Sequence, residues 1–475
     1  MSVQLYNTLT RTVEPLHPVA PPRVTFYACG PTVWNYAHVG NFRTFLMVDL
    51  LHRYLRWRGS DVFLIMNFTD VDDRIIAQAQ AAGRTIREQT DSYAQAFFED
   101  RDWLRIRPAD VYPRATDAIP AMVELVEQLL AKGIAYRGDD GSVYFAVGKL
   151  PQYGRLSRLD TRELKTGARV ASDEYAKDEA RDFALWKAAT AEDETAGAAW
   201  DAPFGRGRPG WHLECSAMAL REIRGRFGVE TLDLHAGGVD LVFPHHENEI
   251  AQSEGATGKP FVRHWIHGEF LNIAGTKMSK RFGNILTVRD LREEGVNPAA
   301  VRHLMFATHY RQSLNWNDDA LVAAMEGVRR LGDFDRRLAD VPADPVPDQP
   351  AGVRKFLAAF TAALDDDLNA PEALGALFTF VRWANRELDR GTLDQGGRQA
   401  VRWALSQAMQ VLDILPDTAS ADAGMAAWAE ERVAARQAAK KARDFGTADA
   451  IRDELKGRGI EVEDTPQGPR WKVAT

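Results

Sequence analysis

The chain has 475 residues, 45% of them apolar and 27% charged, with a formal net charge of −8. A single core stops growing near about 250 residues, so this length calls for several units, and the acidic balance excludes polyanion binding by diffuse charge while leaving a local basic face open. Its two cysteines, Cys29 and Cys215, exclude a disulfide framework, and no run approaches the roughly 20 apolar residues of a membrane helix. The start, MSVQLYNTLTRTVEP, has neither a basic-then-apolar leader nor a transit-peptide bias, so a cytoplasmic location is expected.

The first predicted elements are a strand over RVTFYAC, a break at Gly30 and Pro31, and a helix through NFRTFLMVDLLHRYLRW that stops at a glycine. DVFLIMNFT then reads as a buried strand, with acidic residues crowding its end in TDVDD. Strand, helix and strand make one βαβ unit, whose ligands are expected at the carboxyl ends of the strands. Residues 120–201 read as an insertion: a helix, a hairpin at RGDDGSVYFAV, and polar sequence with little periodicity. The β/α pattern resumes in TLDLHAGGVDLVFPHHENEIAQSE and FVRHWIHGEFLNI. After Asn297 the text is almost entirely helical, broken by the linker-like DVPADPVPDQPAG and LPDTASADAGM. A small charged unit with a β-like end, GIEVEDTPQGPRWKV, closes the chain.

Chemistry concentrates in a few places. His38, Gly40 and Asn41 stand where a helix opens after a strand, and free N–H groups with a positive dipole end favour a phosphate there. Lys277 and Lys280, in GTKMSKRFGN, sit on a loop of small residues and can reach a polyphosphate. Alone, the first motif also describes a capping histidine and the second a solvated basic loop; their joint occurrence in this order is the stronger signal. Two thiols, Cys29 and Cys215, with His245 and Glu249 at i, i+4 spacing, make a chemically plausible Zn²⁺ set. On chemistry alone His246 and His235 compete for the same role.

The pair HVGN and KMSKR resembles the HIGH and KMSKS motifs of class I aminoacyl-tRNA synthetases. YACGPTVWNYAHVGN, NFTDVDD, GWHLECSAM, FPHHENEIAQSE and KMSK, in that order, resemble the cysteinyl-tRNA synthetases from about residue 20 to the C-terminus. The resemblance implies an α/β fold with a Rossmann-like parallel-sheet catalytic domain in two halves, 1–119 and 202–270, around the connective insertion 120–201. A KMSK loop and stem-contact region (271–315), a helical bundle (316–415) and a small anticodon-binding domain (425–475) complete it. It implies zinc on Cys29, Cys215, His245 and Glu249, and substrate contacts at Gly30, Thr69 and Trp211. It further implies ATP contacts at His38, Gly40, Asn41, Lys277 and Lys280, with catalysis by His38, Asn41 and the two lysines. Anticodon contacts fall on Lys440, Phe445, Asp449 and Asp464. The implied partners are L-cysteine, ATP with Mg²⁺ and tRNA(Cys), and the expected state is a monomer. Four protein ligands ordinarily close a zinc site, so Glu249 is the expected weak one. An amino-sugar ligase would share the catalytic half but not the C-terminal unit.

Overall fold

The computed structural model describes residues 2–159, 169–170, 181–278, 284–416, 418–441, 444–457, 460–465 and 468–473. They fall into two units, Met1–Ile414 and Leu415–Thr475.

In the first unit β1 (Gln4–Asn7) and β2 (Thr12–Pro15) form a hairpin. β3 (Arg23–Ala28), α1 (Val39–Trp57) and β4 (Asp61–Met66) follow, then α2 (Asp73–Ala81) and α3 (Ile86–Trp103). Next come α4 (Ile119–Ala131), β5 (Ala135–Arg137), β6 (Val143–Phe145), β7 (Arg169–Val170), β8 (Asp182–Ala188), α5 (Ala191–Thr195) and β9 (Gly207–Pro209). The alternation resumes with α6 (Trp211–Phe227), β10 (Leu232–Gly238), α7 (Glu247–Thr257) and β11 (Val262–Gly268). The main sheet has the order β11-β10-β3-β4 with every neighbouring pair parallel. Helices cover both faces of such a sheet, which is why β4 is a nearly continuous apolar run and β3 and β10 are buried along almost their whole length. Residues 23–66 fold as the predicted βαβ unit.

The acidic cluster at the end of β4 serves structure. Asp70 is buried and accepts from Thr116 N (2.9 Å) and Oγ1 (2.7 Å), while Asp72 caps α2 through Ile75 N (2.6 Å). The stretch after the hairpin is less featureless than its composition. β5, β6, β8 and β7 pair in that order and β9 joins β8, so this small sheet runs on to Pro209. The polar ends of β8 hid it: Asp182 accepts from Val147 N (3.0 Å) and Tyr136 Oη (2.9 Å), and Lys187 pairs with Asp73 (3.3 Å). Partnered charges inside a buried strand erase the periodicity that a sequence reading needs.

Beyond β11, β12 (Leu271–Ile273) pairs with β13 (Thr276–Lys277) and with β14 (Leu314–Trp316), across α8 (Val288–Glu293) and α9 (Pro298–Phe306). The bundle is α10 (Asp318–Arg336), α11 (Ala351–Asp365), α12 (Ala370–Arg390) and α13 (Gln395–Leu412). Asn317, Asn369 and Asp394 cap α10, α12 and α13, and left-handed Gly391 ends α12. The bundle is fastened to the sheet domain by Arg302 of α9. Fully buried, it lies 2.8 Å from Asp49 of α1 and donates to Leu412 O and Leu104 O, each at 3.0 Å. Among the described residues no helix is long and apolar enough to cross a membrane.

The second unit holds α14 (Thr418–Lys441), α15 (Phe445–Gly457) and an antiparallel hairpin of β15 (Ile460–Thr465) and β16 (Gly468–Val473). Ala429, Val433, Leu455 and Ile460 form its core.

Candidate active site

β3 ends at Ala28, and Cys29 stays beside β10 because its N–H donates to Ala236 O (3.0 Å). Its Sγ lies 4.0 Å from Sγ of Cys215, on the second turn of α6. His245 comes from an irregular turn before α7 and Glu249 from the first turn of α7. Ligand atoms of these four residues lie within 4.8 Å of one another, and all four are buried. Around one ion at a Zn–S distance of about 2.3 Å, two thiolates of a tetrahedron stand about 3.8 Å apart, close to the separation seen.

Aromatic rings flank the cluster on the His245 side. Trp211 stacks on His245 with ring centres 4.2 Å apart, and His212 Nδ1 lies 3.1 Å from His245 Nδ1, which leaves His245 Nε2 for the cluster. His245 Nε2 stands 3.1 Å from Glu249 Oε1, yet that oxygen has no hydrogen bond. The pair is close without being aligned, as expected of donors that face a common third party. The competing set, Cys29, His235, His246 and Glu249, is also within 4.8 Å. Its members already satisfy one another: His235 Nε2 is 2.9 Å from Glu249 Oε2 and His246 Nε2 is 3.3 Å from Cys29 Sγ.

Electrostatics set two of the donors, Glu249 and Cys215, up for ionisation. Burial raises the Glu249 carboxyl, but His235 and His245 outweigh it and hold it at about 2. Burial likewise raises Cys215, which the Cys29 hydrogen bond and His245 bring down to about 6. Burial and the Cys215 neighbour drive Cys29 well up. His245, though buried, is raised to about 10 by Cys215 and Glu249. A soft, borderline donor set with thiolate character suits zinc.

His38 is the N-cap of α1. Its Nδ1 accepts from Asn41 N (3.1 Å) and its N–H donates to Asn41 Oδ1 (3.1 Å), so HVGN is a capping box. The cap fixes the tautomer: with Nδ1 accepting, a neutral ring carries its proton on Nε2 and can donate it outward. Burial lowers the His38 pKa, partly offset by Asp240. Gly40 leaves room for that ring, since a Cβ there would come within 3.0 Å of His38 Nδ1. Asp240, in the turn after β10, is a residue the sequence reading passed over; the glycine pair before it was the available signal. It lines a cavity of about 470 Å³ with Tyr6, Thr8, Arg11, His267 and Glu269.

Gly30 donates to Asn67 Oδ1 (2.9 Å), and Thr69, 3% exposed, exchanges backbone hydrogen bonds with Pro31 and Val33. Lys280 lies outside the described residues, as do the side chains of Lys277, Phe445 and Asp464. Lys440 is exposed on α14, and Asp449 is exposed on α15 at 3.7 Å from Arg452.

A parallel sheet with a capped helix N-terminus at its carboxyl ends is the arrangement of a class I synthetase catalytic domain. A family model described as the class I (C) tRNA synthetase catalytic domain matches residues 15–326, and a DALR domain model matches 359–416. The cysteine–tRNA ligase of Chlamydia pneumoniae is 44% identical over 98% of this chain and 97% of its own length. That of Solibacter usitatus is 46% identical over 99% and 100%. Mycobacterium tuberculosis methionyl-tRNA synthetase in complex with methionyl-adenylate shares the fold at a TM-score of 0.59 and 17% identity, covering 82% of this chain and 90% of that one. The chain belongs to the cysteine–tRNA ligase family.

Proposed function

We propose that Cys29, Cys215, His245 and Glu249 hold one Zn²⁺, and that this enzyme uses it to separate L-cysteine from L-serine during ATP-dependent charging of tRNA(Cys). The observation that carries this is the pair of buried thiols 4.0 Å apart beside a carboxylate oxygen with no hydrogen bond. His235 is a poorer candidate because its Nε2 is already engaged with Glu249. Bound there, zinc supplies a thiophilic Lewis acid for a substrate thiolate that a hydroxyl cannot match, and sites demanding a specific polar partner discriminate by up to roughly 10⁴–10⁵.

The chain's own residues do the rest. Trp211 walls the cluster on the His245 side, and Gly30 and Thr69 complete the substrate contacts. In the first reaction the cysteine carboxylate forms a P–O bond to the α-phosphorus of ATP and pyrophosphate leaves with Mg²⁺. His38, through its Nε2–H, and the first N–H groups of α1 stabilise the growing charge, with Asn41 holding the histidine in place. Lys277 and Lys280 neutralise the departing phosphates. The 2′-hydroxyl of the terminal ribose then attacks the activated carbonyl and AMP leaves. Lys440, Phe445, Asp449 and Asp464 in the second unit read the anticodon of the RNA. The protein acts as a monomer in the cytoplasm.

The test is cysteine-dependent exchange of pyrophosphate into ATP, run beside serine, before and after chelation and with zinc restored. Exchange with cysteine alone, lost on chelation and recovered with zinc, is the expected result. Unchanged selectivity in fully metal-free enzyme overturns the proposal. Asp449→Asn should slow charging of tRNA while exchange is kept.

A further inference from the structure

The segment that leads into α8 is laced to the front of α1. His38 and Thr287 form an antiparallel bridge, and Val39 N donates to Leu286 O at 2.9 Å. Arg289, in the first turn of α8, then reaches three groups on two other parts of the fold. Its Nη2 lies 2.7 Å from Glu99 Oε2 on α3, its guanidinium carbon 4.7 Å from the ring centre of Tyr36, and its Nε 3.7 Å from Asp100 Oδ1. Tyr36 is half exposed and meets Tyr93 of α3 edge-on at 5.3 Å.

Asp100 makes this grip unusual. It is 1% exposed, and neither of its carboxylate oxygens, nor Arg289 Nε, has a hydrogen bond. Burial pushes its carboxyl up to about 6. Among the described residues Arg289 is the cation within ion-pair range of it. A buried carboxylate with no hydrogen bond stabilises nothing by itself, so its evident effect is on the guanidinium it faces. A planar guanidinium can stack on Tyr36 while its edge serves two carboxylates; an ammonium cannot do both.

We infer that Arg289 is a positioning residue for adenylate formation, acting through Tyr36 and the His38–Thr287 bridge to fix His38 and the first turn of α1 against the nucleotide. The inference rests on the reading of His38 as a phosphate contact. Tyr36 stands two residues before His38, so a grip on its ring from α8 and α3 fixes the approach to the helix cap. Phosphoryl transfer depends on placement, which makes that approach a lever on rate.

Arg289→Gln, Arg289→Lys, Tyr36→Leu and Arg289→Gln with Tyr36→Leu are assayed as full-length zinc-loaded enzyme in cysteine-dependent pyrophosphate exchange, with thermal unfolding in parallel. Arg289→Gln should lower kcat by roughly 10- to 100-fold, the cost of a misplacement of about 1 Å, with the KM for cysteine and the unfolding midpoint unmoved. Arg289→Lys should recover part of the loss, and Tyr36→Leu should add little to Arg289→Gln. An unchanged kcat, a loss that tracks the unfolding midpoint, or full additivity with Tyr36→Leu overturns the inference. His38→Ala separates the two levels: wild-type exchange in that variant removes the reading of His38, whereas its loss beside a fully active Arg289→Gln removes only the role of Arg289.

Discussion

Cys29 Sγ and Cys215 Sγ meet at 4.0 Å across 186 residues of sequence, one at the end of a strand and the other on the second turn of a helix. Replacing one sulfur by oxygen keeps the shape and removes the soft ligand. Cys215→Ser should therefore lower zinc affinity by more than the roughly 10- to 100-fold that loss of an outer partner costs, and raise the KM for cysteine. Metal content by atomic absorption, measured with exchange kinetics, checks both; full zinc with an unaltered KM would refute the assignment.

Gly30 crosses Asn67 so closely that a Cβ on it would lie 1.8 Å from Asn67 O and 2.9 Å from its carbonyl carbon. Backbone cannot swing aside as a side chain can. Gly30→Ala should cost about 1–3 kcal/mol of stability by overpacking and should displace Cys29 next to it. The expected readout is a lower unfolding midpoint together with weakened cysteine binding; wild-type values of both would show that the crossing relaxes freely.

Arg302 and Asp49 are both fully buried at 2.8 Å, and Asp49 also holds Arg53 at 2.8 Å. Burial raises the Asp49 carboxyl, but the two guanidiniums outweigh it and keep its pKa lowered. Arg302→Met strips one of two cations from that charge, and breaking a buried pair costs roughly 3–5 kcal/mol. Arg302→Met with Asp49→Leu should recover part of that loss in urea unfolding, because the under-paired carboxylate is gone and Arg53, the cation left behind, keeps its pair with Asp413 at 3.1 Å. A double variant less stable than the single would contradict this.

His303 packs edge-on against Phe378 with ring centres 5.6 Å apart, and neither ring nitrogen has a hydrogen bond. Burial lowers its pKa from 6.5 to about 4. Between those values the unfolded chain binds a proton that the folded one refuses, so this residue makes stability fall as pH drops from about 6.5 to 4. His303→Phe should flatten that part of the stability profile followed by thermal unfolding. An equally steep profile in the variant would exclude His303 as a source of acid sensitivity.

Much of this was legible beforehand where local pattern and local chemistry agree. The βαβ unit of 23–66 follows from an apolar run, a glycine stop and a second apolar run, and it folds so. The small sheet holding β8 was not legible, because Asp182 and Lys187 carry partners brought in from Tyr136, Val147 and Asp73. HVGN showed a helix start, but not that His38 and Asn41 would pair backbone with side chain in both directions and leave the imidazole Nε2 out of the cap.

By itself the sequence determined the ligand chemistry and the order of the motifs, because thiol, imidazole, carboxylate and ammonium groups are properties of single residues. Which histidine stands within 4.8 Å of both sulfurs was decided only by tertiary structure. His235, His245 and His246 are equivalent donors on paper; β10 and the turn before α7 bring all three around Glu249 and give each a different neighbour. Donor geometry depends on directions in space between distant elements, and no spacing along the chain encodes those directions.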